Sequence, residues 1–558
     1  MPHIVTQSCC SDGSCVYACP VNCIHPSPDE PGFATAEMLY IDPDACVDCG
    51  ACVSACPVGA IAPDSRLRPE QLPFIELNAA FYPKRDGKLP PTSQLAPVLP
   101  APVVNQGRAP LTVAIVGSGP AAMYAADELL TQPGVRVNMF EKLPTPYGLV
   151  RAGVAPDHQS TKRVTRLFDT IARRRGFTMF LNVEIGRHVQ HDELLAHHHA
   201  VLYAVGAPND RRLDVEGMEL TGTGTATEVV AWFNGHPDFA TLPVDLSGDR
   251  VVIVGNGNVA LDVARILTAD PDELARTDIA DHALAALRDS KVREVVIVAR
   301  RGPAHSAFTL PELIGLTGVG NGPAVVLDAR DHERVQRDLG RAEDPLTRAK
   351  LEILTKLADS SAPSSRPRIR LAYELTPRRV LGENRVRAVE FTVTGSDDVE
   401  TMDAGLLLTS IGYRGKPVDG LPFDEELAIV PNDGGRVTVG TYVAGWIKRG
   451  PTGFIGTNKS CAQETVQHLV ADYNLGALAD PVLRPGAIER LVRGRQPDVV
   501  DAAGWLNIDA DEIARGASAG RPRNKFTTVD EMLTSAAAAP KSTVRQRMRE
   551  TFGRGVRI

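Results

Sequence analysis

The chain has 558 residues, of which 43% are apolar and 23% are charged. This length predicts about three or four domains, and the composition is that of a globular protein. No segment stays apolar for long enough to span a bilayer, and the N-terminus lacks the basic start and apolar core of a secretory signal. We therefore expect a cytoplasmic protein that does not associate with a membrane.

Charge is distributed unevenly along the chain. Residues 1–70 contain nine acidic and two basic side chains, a net charge of −7, whereas the whole chain carries −8. The acidic start is compatible with steering to a basic partner and equally with a solvated face. The tail, residues 541–558, has a net charge of +5. No nucleic-acid-binding motif accompanies this tail, so we expect no nucleic acid partner.

A dense group of cysteines follows the N-terminus. Nine of the ten cysteines lie within residues 9–56. The second part of this group is a CxxCxxCxxxCP run that ends at Cys56, and this spacing is typical of bacterial iron–sulfur proteins. Zinc sites instead pair two CxxC units, and dense disulfides are typical of exported domains. The run therefore predicts iron–sulfur ligation.

An earlier run has the same spacing, with Asp12 where the second cysteine is expected. In such pairs the cysteine before proline ligates the cluster of the other run. The expected ligands of a [4Fe–4S] cluster are Cys19, Cys46, Cys49 and Cys52. The expected ligands of the second cluster are Cys9, Cys15 and Cys56. Three thiolates favour [3Fe–4S], and an Asp12-ligated [4Fe–4S] is the alternative. Cys10 is an alternative to Cys9, and Cys23 is expected to be a buried apolar residue.

Residues 1–80 resemble the seven-iron bacterial ferredoxins. The resemblance is carried by CPVNCI (19–24) and MLYIDPDACVDCGACVSACPVGAI (38–61). It implies an α+β ferredoxin-like domain.

A proline-rich segment, residues 83–110, comes next and contains seven prolines. It predicts an extended linker that lets the ferredoxin-like domain dock and undock. A strap pinned along the protein surface is the alternative.

The segment LTVAIVGSGPAAMYAADELL (111–130) predicts a strand, a glycine turn and a helix. Gly117 permits the tight turn, Gly119 lets the backbone approach a pyrophosphate, and Ala122 packs the helix on the strand. Free N–H groups at the helix start would bind the pyrophosphate. Glu141 follows the next strand, where an acid accepts hydrogen bonds from ribose hydroxyls. Together these features predict a dinucleotide site.

The segment RVVIVGNGNVALDVARIL (250–267) repeats this pattern with Gly255, Gly257 and Ala260. The following strand ends in Arg300 and Arg301 instead of an acid, and two guanidinium groups suit a 2′-phosphate. NADP(H) is therefore favoured here over NAD(H), with a flavin in the first site. Only one cysteine follows Cys56, which argues against a flavin disulfide reductase.

From residue 110 to about 536 the chain resembles adrenodoxin reductase, a type of ferredoxin–NADP reductase. The resemblance is carried by YGLVRAGVAPDH (147–158), GNGNVALDVARIL (255–267), ARRGPAHSAFTLPEL (299–313), GWIKRGPTGFIGTNK (445–459) and GWLNIDADEIARG (504–516). The fusion to a ferredoxin resembles mycobacterial-type reductases. The implied fold is an α/β flavoprotein with two Rossmann-like dinucleotide-binding domains. Residues 110–208 and 410–540 would form the FAD-binding domain, and residues 209–409 the NADP-binding domain.

The resemblance also implies roles for individual residues. The implied FAD contacts are Ala122, Glu141, Leu149, Ile185, Trp446, Gly453, Phe454 and Ile455. The implied NADP contacts are Asn258, Val259, Arg300, Arg301, Glu312 and Gly453. His158 and Glu312 would orient the nicotinamide or tune flavin protonation. Pro311 departs from the usual polar residue beside Glu312, and Trp446 has a plain core tryptophan as its alternative.

These features together predict a ferredoxin–NADP+ reductase. Electrons would pass from NADPH through FAD to the iron–sulfur clusters, and then to a redox protein such as a ferredoxin or a cytochrome P450. One alternative is an electron-input subunit that resembles the small subunit of glutamate synthase. Another is a non-catalytic iron–sulfur carrier, which the two intact glycine turns disfavour.

Overall fold

The computed structural model describes residues 2–82, 95–98, 101–107, 109–318, 322–361, 366–484 and 486–538. The predicted basic tail and residues 83–94 of the predicted linker lie outside the described residues. The chain divides into two compact units. Unit 1 contains Met1–Ala96, Ala155–Thr161 and Asp210–Gly412. Unit 2 contains Pro97–Val154, Lys162–Asn209 and Tyr413–Ile558.

The strands are short, and most of them lie in two parallel sheets. Their bounds are β1 (His3–Val5), β2 (Ile24–His25), β3 (Tyr40–Ile41), β4 (Ile61–Pro63), β5 (Thr112–Val116), β6 (Arg136–Glu141), β7 (Phe177–Leu181), β8 (Ala200–Tyr203), β9 (Asn209–Asp210), β10 (Thr223–Thr225), β11 (Arg250–Val254), β12 (Glu294–Val298), β13 (Ala324–Leu327), β14 (Ala358–Asp359), β15 (Arg368–Ala372), β16 (Leu375–Leu381), β17 (Ala388–Val393), β18 (Val399–Asp403), β19 (Leu406–Thr409), β20 (Tyr413–Arg414), β21 (Arg436–Thr438) and β22 (Thr441–Val443).

The helices range from single turns to the long helices that cover the sheets. Their bounds are α1 (Ser14–Ala18), α2 (Ala51–Ala55), α3 (Pro73–Ala80), α4 (Pro120–Leu130), α5 (Leu149–Ala152), α6 (Gln159–Lys162), α7 (Thr165–Ala172), α8 (His191–His197), α9 (Ala226–Phe233), α10 (Asn258–Thr268), α11 (Pro271–Leu274), α12 (Asp281–Arg288), α13 (Leu310–Gly318), α14 (Ala329–Leu339), α15 (Pro345–Leu354), α16 (Trp446–Arg449), α17 (Thr457–Asn474), α18 (Ala487–Arg495), α19 (Ala502–Ser518) and α20 (Val529–Ala537). Short 3₁₀ turns lie at Asp64–Arg66, Pro69–Gln71 and Pro303–His305.

The N-terminal module of unit 1, residues 2–82, contains two antiparallel strand pairs, β1 with β4 and β2 with β3. Helix α3 is joined to the strands by Asn78, which is fully buried. The Asn78 amide nitrogen donates to the carbonyls of Val5 (2.9 Å) and Phe74 (2.8 Å), and its oxygen accepts from the N–H groups of Val5 (3.2 Å) and Ile41 (2.9 Å). Every hydrogen-bonding site of this amide is therefore used, as a buried polar group requires.

The two cysteine runs have the same backbone conformation. Helices α1 and α2 begin after Gly13 (φ 72°) and Gly50 (φ 74°), which occupy matching positions in the two runs. Ser11 (φ 57°) and Asp48 (φ 56°) are a second matching pair in the left-handed region. The two runs therefore share a backbone conformation as well as a cysteine spacing. Each run forms a loop followed by one short helix.

The rest of unit 1 is built on a seven-stranded sheet with the order β10-β19-β11-β12-β15-β13-β14. Its paired strands are all parallel, and the central ones are continuous apolar runs, as expected for a sheet covered on both faces. A three-stranded antiparallel sheet, β16-β17-β18, packs against it with Val389 and Phe391 in the shared core. This arrangement brings the carboxyl ends of β11 and β12 to one edge, where ligands bind in such folds.

Unit 2 contains a six-stranded sheet with the order β21-β22-β8-β5-β6-β7. The strands β22, β8, β5, β6 and β7 pair in parallel, and β21 is antiparallel to β22. Helices α4 and α17 pack closely together. Within the described part of the chain, no helix combines the length and the apolar run needed to cross a membrane.

The predicted domain boundaries remain a prediction. The two units are divided between Asn209 and Asp210 and between Gly412 and Tyr413, and unit 1 groups the N-terminal module with residues 210–412. Part of the predicted linker segment is hydrogen-bonded to other residues of unit 2. There the Asn474 amide nitrogen donates to the Val103 carbonyl (2.8 Å), and the Val104 N–H donates to the Gln132 side chain (3.1 Å).

Candidate functional site

The four cysteines predicted to hold a [4Fe–4S] cluster line one cavity in unit 1. They are Cys19, Cys46, Cys49 and Cys52. The remaining walls of this cavity include Val21, Ile24 and Ile41. Cys19 comes from the first run and joins three cysteines of the second run. Four thiols around one apolar cavity are the donor set that a [4Fe–4S] cluster requires, so the residues present fit this group.

Cys23 also lines this cavity. Its sulfur lies 3.4 Å from the Cys19 sulfur, and its N–H donates to the same atom at 3.4 Å. Hydrogen bonding from the Cys23 thiol lowers the pKa of Cys19 and that of Cys46 below the ordinary thiol value. Since the thiolate is the form that binds iron, Cys23 supports two predicted ligands from beside the site.

The second set of cysteines also converges. Burial raises the pKa of Cys15 well above its usual value, and the neighbouring charges of Cys9, Asp12 and Cys56 raise it further. Asp12 is 6% exposed, and Cys10 is buried beside it. One Asp12 oxygen accepts the Ser14 hydroxyl (2.5 Å), and the other accepts the Ser14 N–H (3.3 Å). The charges of Cys9, Asp12 and Cys56 thus act on Cys15, which indicates that these four side chains lie near one another.

The first glycine turn lies between β5 and α4 in unit 2. Gly117 has φ 101°, and a Cβ there would lie 2.5 Å from the Ala204 carbonyl oxygen, so only glycine fits. Gly119 precedes α4, and a Cβ there would meet no protein atom within 4 Å. Ala122 is fully buried against the sheet. The open N-terminus of α4 can accept a pyrophosphate, because its first N–H groups have no partner within the helix.

Glu141, at the end of β6, is fixed beside this turn. Its Oε2 accepts the N–H (3.1 Å) and the hydroxyl (2.6 Å) of Ser118, and its Oε1 accepts the Leu143 N–H (3.1 Å). Burial raises the pKa of Glu141 above its ordinary value. The sequence did not single out Ser118, although a hydroxyl between the two glycines of such a turn was the available signal.

Several predicted FAD contacts surround the start of α4. Gly148 approaches Gly119 so closely that a Cβ on it would lie 3.2 Å from the Gly119 Cα, and this contact positions the adjacent Leu149, which is 43% exposed. Ile185 lies two residues after Val183. The Val183 N–H donates to the Glu141 carbonyl (2.8 Å), which joins this segment to the end of β6.

The segment that begins at Gly445 lies against the same helix. A Cβ on Gly445 would lie 2.6 Å from the Ala121 side chain. Trp446 is partly exposed, stands 5.0 Å from the Tyr413 ring, and donates its indole N–H to the Thr452 carbonyl (3.1 Å). The next predicted contacts, Gly453, Phe454 and Ile455, are exposed or partly exposed. The contacts of Gly148 and Gly445 thus bring the segments that carry Leu149 and Trp446 to the start of α4, and an open glycine turn beside them fits a bound dinucleotide.

The second glycine turn lies between β11 and α10 in unit 1. Gly255 has φ 108°, and a Cβ there would lie 2.2 Å from the Ser410 carbonyl oxygen, whereas a Cβ on Gly257 would meet nothing within 4 Å. Ala260 is fully buried and Val259 partly so. The Asn258 Oδ1 accepts the Thr309 N–H (2.8 Å), which holds the loop before α13 to the start of α10.

Arg300 and Arg301 follow β12, and both are exposed. Neither guanidinium group makes a hydrogen bond or an ion pair with a residue that the structure describes. Next to Arg301 is a cleft of about 480 Å³ lined by Gly302, Ala304, His305, Arg337, Asp338, Arg341, Ala342 and Glu374. The sequence reasoning did not single out these lining residues, because several of them lie on α14, far from the glycine turn in sequence.

His158, Asp262 and Glu312 converge in unit 1, with one ligand-type atom of each within 4.8 Å of the others. Arg265 pairs with Asp262 (2.7 Å) and with Asp157 (2.6 Å). Burial raises the pKa of Glu312, against the opposing effect of His158. Three side chains of this cluster were missed from sequence: Asp157, Asp262 and Arg265. The only local signal for them was the three-residue step between Asp262 and Arg265 on α10.

Pro311 is compatible with the helix that carries Glu312. It occupies the second position of α13, where a missing N–H costs no helical hydrogen bond. Glu312 therefore lies in the first turn of this helix.

A buried ion network in unit 2 was also missed from sequence. Glu512 is fully buried and binds the Arg151 guanidinium (2.5 and 2.9 Å) and the Arg523 guanidinium (3.0 Å). Burial alone would raise the pKa of Glu512, but the two arginines lower it below its ordinary value. The network joins α5, which begins at Leu149, to α19.

Comparison with known proteins gives the family. The family model for pyridine nucleotide-disulphide oxidoreductases matches residues 111–303, and the model for 4Fe-4S binding domains matches residues 39–62. A probable ferredoxin/ferredoxin–NADP reductase of Mycobacterium tuberculosis is 70% identical, and the alignment covers 98% of this chain and 97% of the relative. The structure of Mycobacterium tuberculosis FprA in complex with NADPH matches with a TM-score of 0.72 and 42% identity, over 77% of this chain and all of that chain.

These matches confirm the predicted 4Fe-4S domain and the two-dinucleotide-binding fold that follows it. The single cysteine beyond Cys56, Cys461, is buried, and its sulfur accepts the Gly445 N–H (3.3 Å). It has no second cysteine with which to form a redox dithiol. The chain belongs to the ferredoxin/ferredoxin–NADP reductase family.

Proposed function

We propose that this chain oxidises NADPH at a bound FAD and passes the electrons one at a time through two iron–sulfur clusters to a redox protein. The observation that carries the proposal is the presence, in one polypeptide, of two open glycine turns and a set of four cysteines that lines one cavity. The overall reaction oxidises one NADPH to NADP+ and H+ and reduces two one-electron acceptors. FAD supplies the step between two-electron and one-electron chemistry.

The chain's own residues bind and orient the two dinucleotides. In unit 2, the start of α4 binds the FAD pyrophosphate, Glu141 binds the ribose, and Leu149, Ile185, Trp446 and residues 453–455 flank the flavin. In unit 1, the start of α10 binds the NADPH pyrophosphate, with Asn258 and Val259 beside it. Arg300 and Arg301 bind the 2′-phosphate, since their guanidinium groups are exposed and make no hydrogen bond or ion pair with a described residue. The cleft beside Arg301 suits the adenosine end.

His158 and Glu312 act at the nicotinamide end. Their polar atoms face one another within 4.8 Å, and Asn258 joins the loop before α13 to the start of α10. Glu312 keeps its proton to a higher pH than an exposed glutamate, because burial raises its pKa. The pair therefore orients the nicotinamide and is able to hold a proton close to it.

For the second cluster we propose [3Fe–4S], held by Cys9, Cys15 and Cys56. Cys9 occupies the position in the first run that Cys46 occupies in the second, which favours it over Cys10. Both Asp12 oxygens already accept hydrogen bonds from Ser14, which favours three thiolate ligands over an additional oxygen ligand.

The proposal is tested by analysis of the purified protein for iron, acid-labile sulfide and released flavin, followed by an assay of ferricyanide reduction with NADPH. We expect one FAD and about seven iron atoms per chain, the sum of the two cluster types. Ferricyanide reduction should be fast with NADPH and slow with NADH. A colourless preparation that releases neither iron nor flavin would refute the proposal.

A further inference from the structure

The N-terminal module contacts the rest of unit 1 through the loop that precedes Cys9. The Gln7 amide nitrogen donates to the Glu312 carboxylate at 2.9 Å. The Gln7 side chain lies against α13 at Gly315, where a Cβ would come within 2.2 Å of the Gln7 amide. The Gln7 side chain and Gly315 are therefore in close contact, and this contact joins the Cys9 loop to the helix that carries Glu312.

A second contact lies on the segment just before Tyr40. The Glu37 carboxylate accepts the Leu310 N–H (2.7 Å) at the start of α13, and its other oxygen lies 3.6 Å from the Lys350 ammonium group. Lys350 is itself buried and donates to the Phe308 carbonyl (2.7 Å). A carboxylate at a helix N-terminus is favourable, so Glu37 is both a cap and an ion-pair partner.

Apolar packing makes the interface between these two parts of unit 1 continuous. Leu310 and Ile314 of α13 are 1% and 5% exposed and belong to the same core as Ile4, Phe74 and Leu77 of the N-terminal module. The first of these polar contacts borders the Cys9 site, because Gln7 is two residues from Cys9, and Cys9, Cys15 and Cys56 belong to the same core as Leu310 and Ile314. The cluster site of Cys9, Cys15 and Cys56 is therefore on the docked side of the module.

The other cluster site reaches the surface. Cys49 is exposed, and the adjacent Val47 and Val53 are 58% and 37% exposed. Exposed acidic side chains, Asp44 and Asp48, lie in the same loop. We call Val47, Cys49 and Val53, with these two acids, the exit face. The exit face therefore has exposed valines next to the predicted ligand Cys49, with negative charge around them.

From these contacts we propose a fixed order of electron flow through the module. Electrons enter at the Cys9, Cys15 and Cys56 site beside Glu312 and leave from the [4Fe–4S] site through the exit face. The acceptor is a one-electron redox protein that presents basic side chains around an apolar patch, because opposite charge attracts it and the exposed valines pack against it. This order of electron flow rests on the proposed function, in which the nicotinamide binds beside Glu312. Each NADPH reduces two such acceptors.

The test uses the holoenzyme with cytochrome c, a basic one-electron protein, as the acceptor. Asp44→Lys/Val53→Lys reverses the charge of the exit face, and Glu76→Lys/Ala80→Lys makes the same charge change at two exposed positions on α3 as the matched control. At low ionic strength we expect kcat/KM for cytochrome c to fall about tenfold in the exit-face variant and by less than about twofold in the control. The difference should shrink at high salt, since screening weakens surface charge effects.

Two further measurements distinguish failure of the exit face from failure of the proposed function. Ferricyanide reduction with NADPH, and the iron content, should be unchanged in both surface variants. In Cys52→Ala, which removes a predicted [4Fe–4S] ligand, cytochrome c reduction should be lost while NADPH still reduces the flavin. Equal cytochrome c rates in the exit-face variant and the wild type would overturn the exit face while leaving the proposed function intact. Failure of NADPH to reduce the wild-type flavin would overturn the proposed function itself.

Discussion

The two glycine turns have nearly the same backbone and different strand-end residues. Gly117 and Gly255 have φ values of 101° and 108°, and each lies against a carbonyl oxygen that excludes a side chain. At the end of the next strand, unit 2 has Glu141, which is partly buried and hydrogen-bonded, whereas unit 1 has Arg300 and Arg301, which are exposed. The shared backbone is a generic pyrophosphate site, and the residues at the strand end decide which dinucleotide binds.

The two cysteine runs differ in the same manner. Their loops and helices repeat, but Asp12 stands where the second run has Cys49. In both comparisons the backbone provides the common site and one side-chain position changes its chemistry. The predictions below alter either the shared backbone or the position that differs.

The largest effect is expected from the shared backbone. Gly255→Ala should destabilise unit 1 by more than about 3 kcal/mol, because the residue has positive φ and its Cβ would overlap the Ser410 carbonyl. Gly257→Ala is the matched variant and should leave the melting temperature unchanged, since no protein atom lies within 4 Å of its Cβ. It should still weaken NADPH binding about tenfold or more, as its methyl group blocks the pyrophosphate. Equal melting temperatures for the two variants would contradict this account.

A complete change of cluster type is expected from Asp12→Cys. The oxidised wild-type protein should show the paramagnetic resonance signal of a three-iron cluster. The variant should lose this signal and gain about one iron atom per chain, since it supplies the missing thiolate. Ser14→Ala, which removes the hydroxyl partner of Asp12, is the control and should keep the signal. A wild-type protein without a signal in the oxidised state would favour the Asp12-ligated four-iron form instead.

The preference for NADPH over NADH should depend on Arg300 and Arg301. Each charge-assisted contact to the 2′-phosphate is worth roughly 1.5–3 kcal/mol, so Arg300→Ala/Arg301→Ala should raise the KM for NADPH about a hundredfold or more. The KM for NADH should hardly change. Arg276→Ala, an exposed arginine on the same unit, serves as the control. A similar loss for NADPH and NADH would rule out the phosphate assignment.

A smaller effect is expected at Glu141. Glu141→Gln keeps the size of the side chain but removes the charge that would bind the FAD ribose, so FAD should dissociate about tenfold more readily. Because burial raises the pKa of Glu141, acidification should protonate this carboxyl at a higher pH than an exposed glutamate. As the pH is lowered, the wild type should therefore begin to release FAD at a higher pH than it would if Glu141 had the pKa of an exposed glutamate. Fluorescence of released FAD measures both effects, and NADPH affinity in unit 1 should stay constant.

The parts of the site that could be predicted from sequence are local. The cysteine spacing, the two glycine turns, Glu141 and the arginine pair each lie within a short segment whose geometry follows from one loop and its adjoining elements. Pro311 illustrates a limit of local reasoning, because its effect on Glu312 depended on whether it fell in the first turn of α13 or inside the helix.

Contacts between distant segments were not accessible in this way. Gln7 and Glu312 are far apart in sequence, as are Glu37 and Leu310, and no periodicity or motif joins them. The same is true of the Arg151, Glu512 and Arg523 network. Such pairs are determined by how whole elements pack, so the docked arrangement of the N-terminal module became visible only in the structure.

The central claim is that NADPH, FAD and the iron–sulfur clusters form one electron path in this chain. Anaerobic titration of the purified protein with NADPH, followed by optical and paramagnetic resonance spectra, tests it most directly. We expect NADPH to bleach the flavin absorbance and abolish the three-iron signal, and NADH at the same concentration to do neither efficiently. Flavin bleaching with the cluster signal unchanged would contradict it.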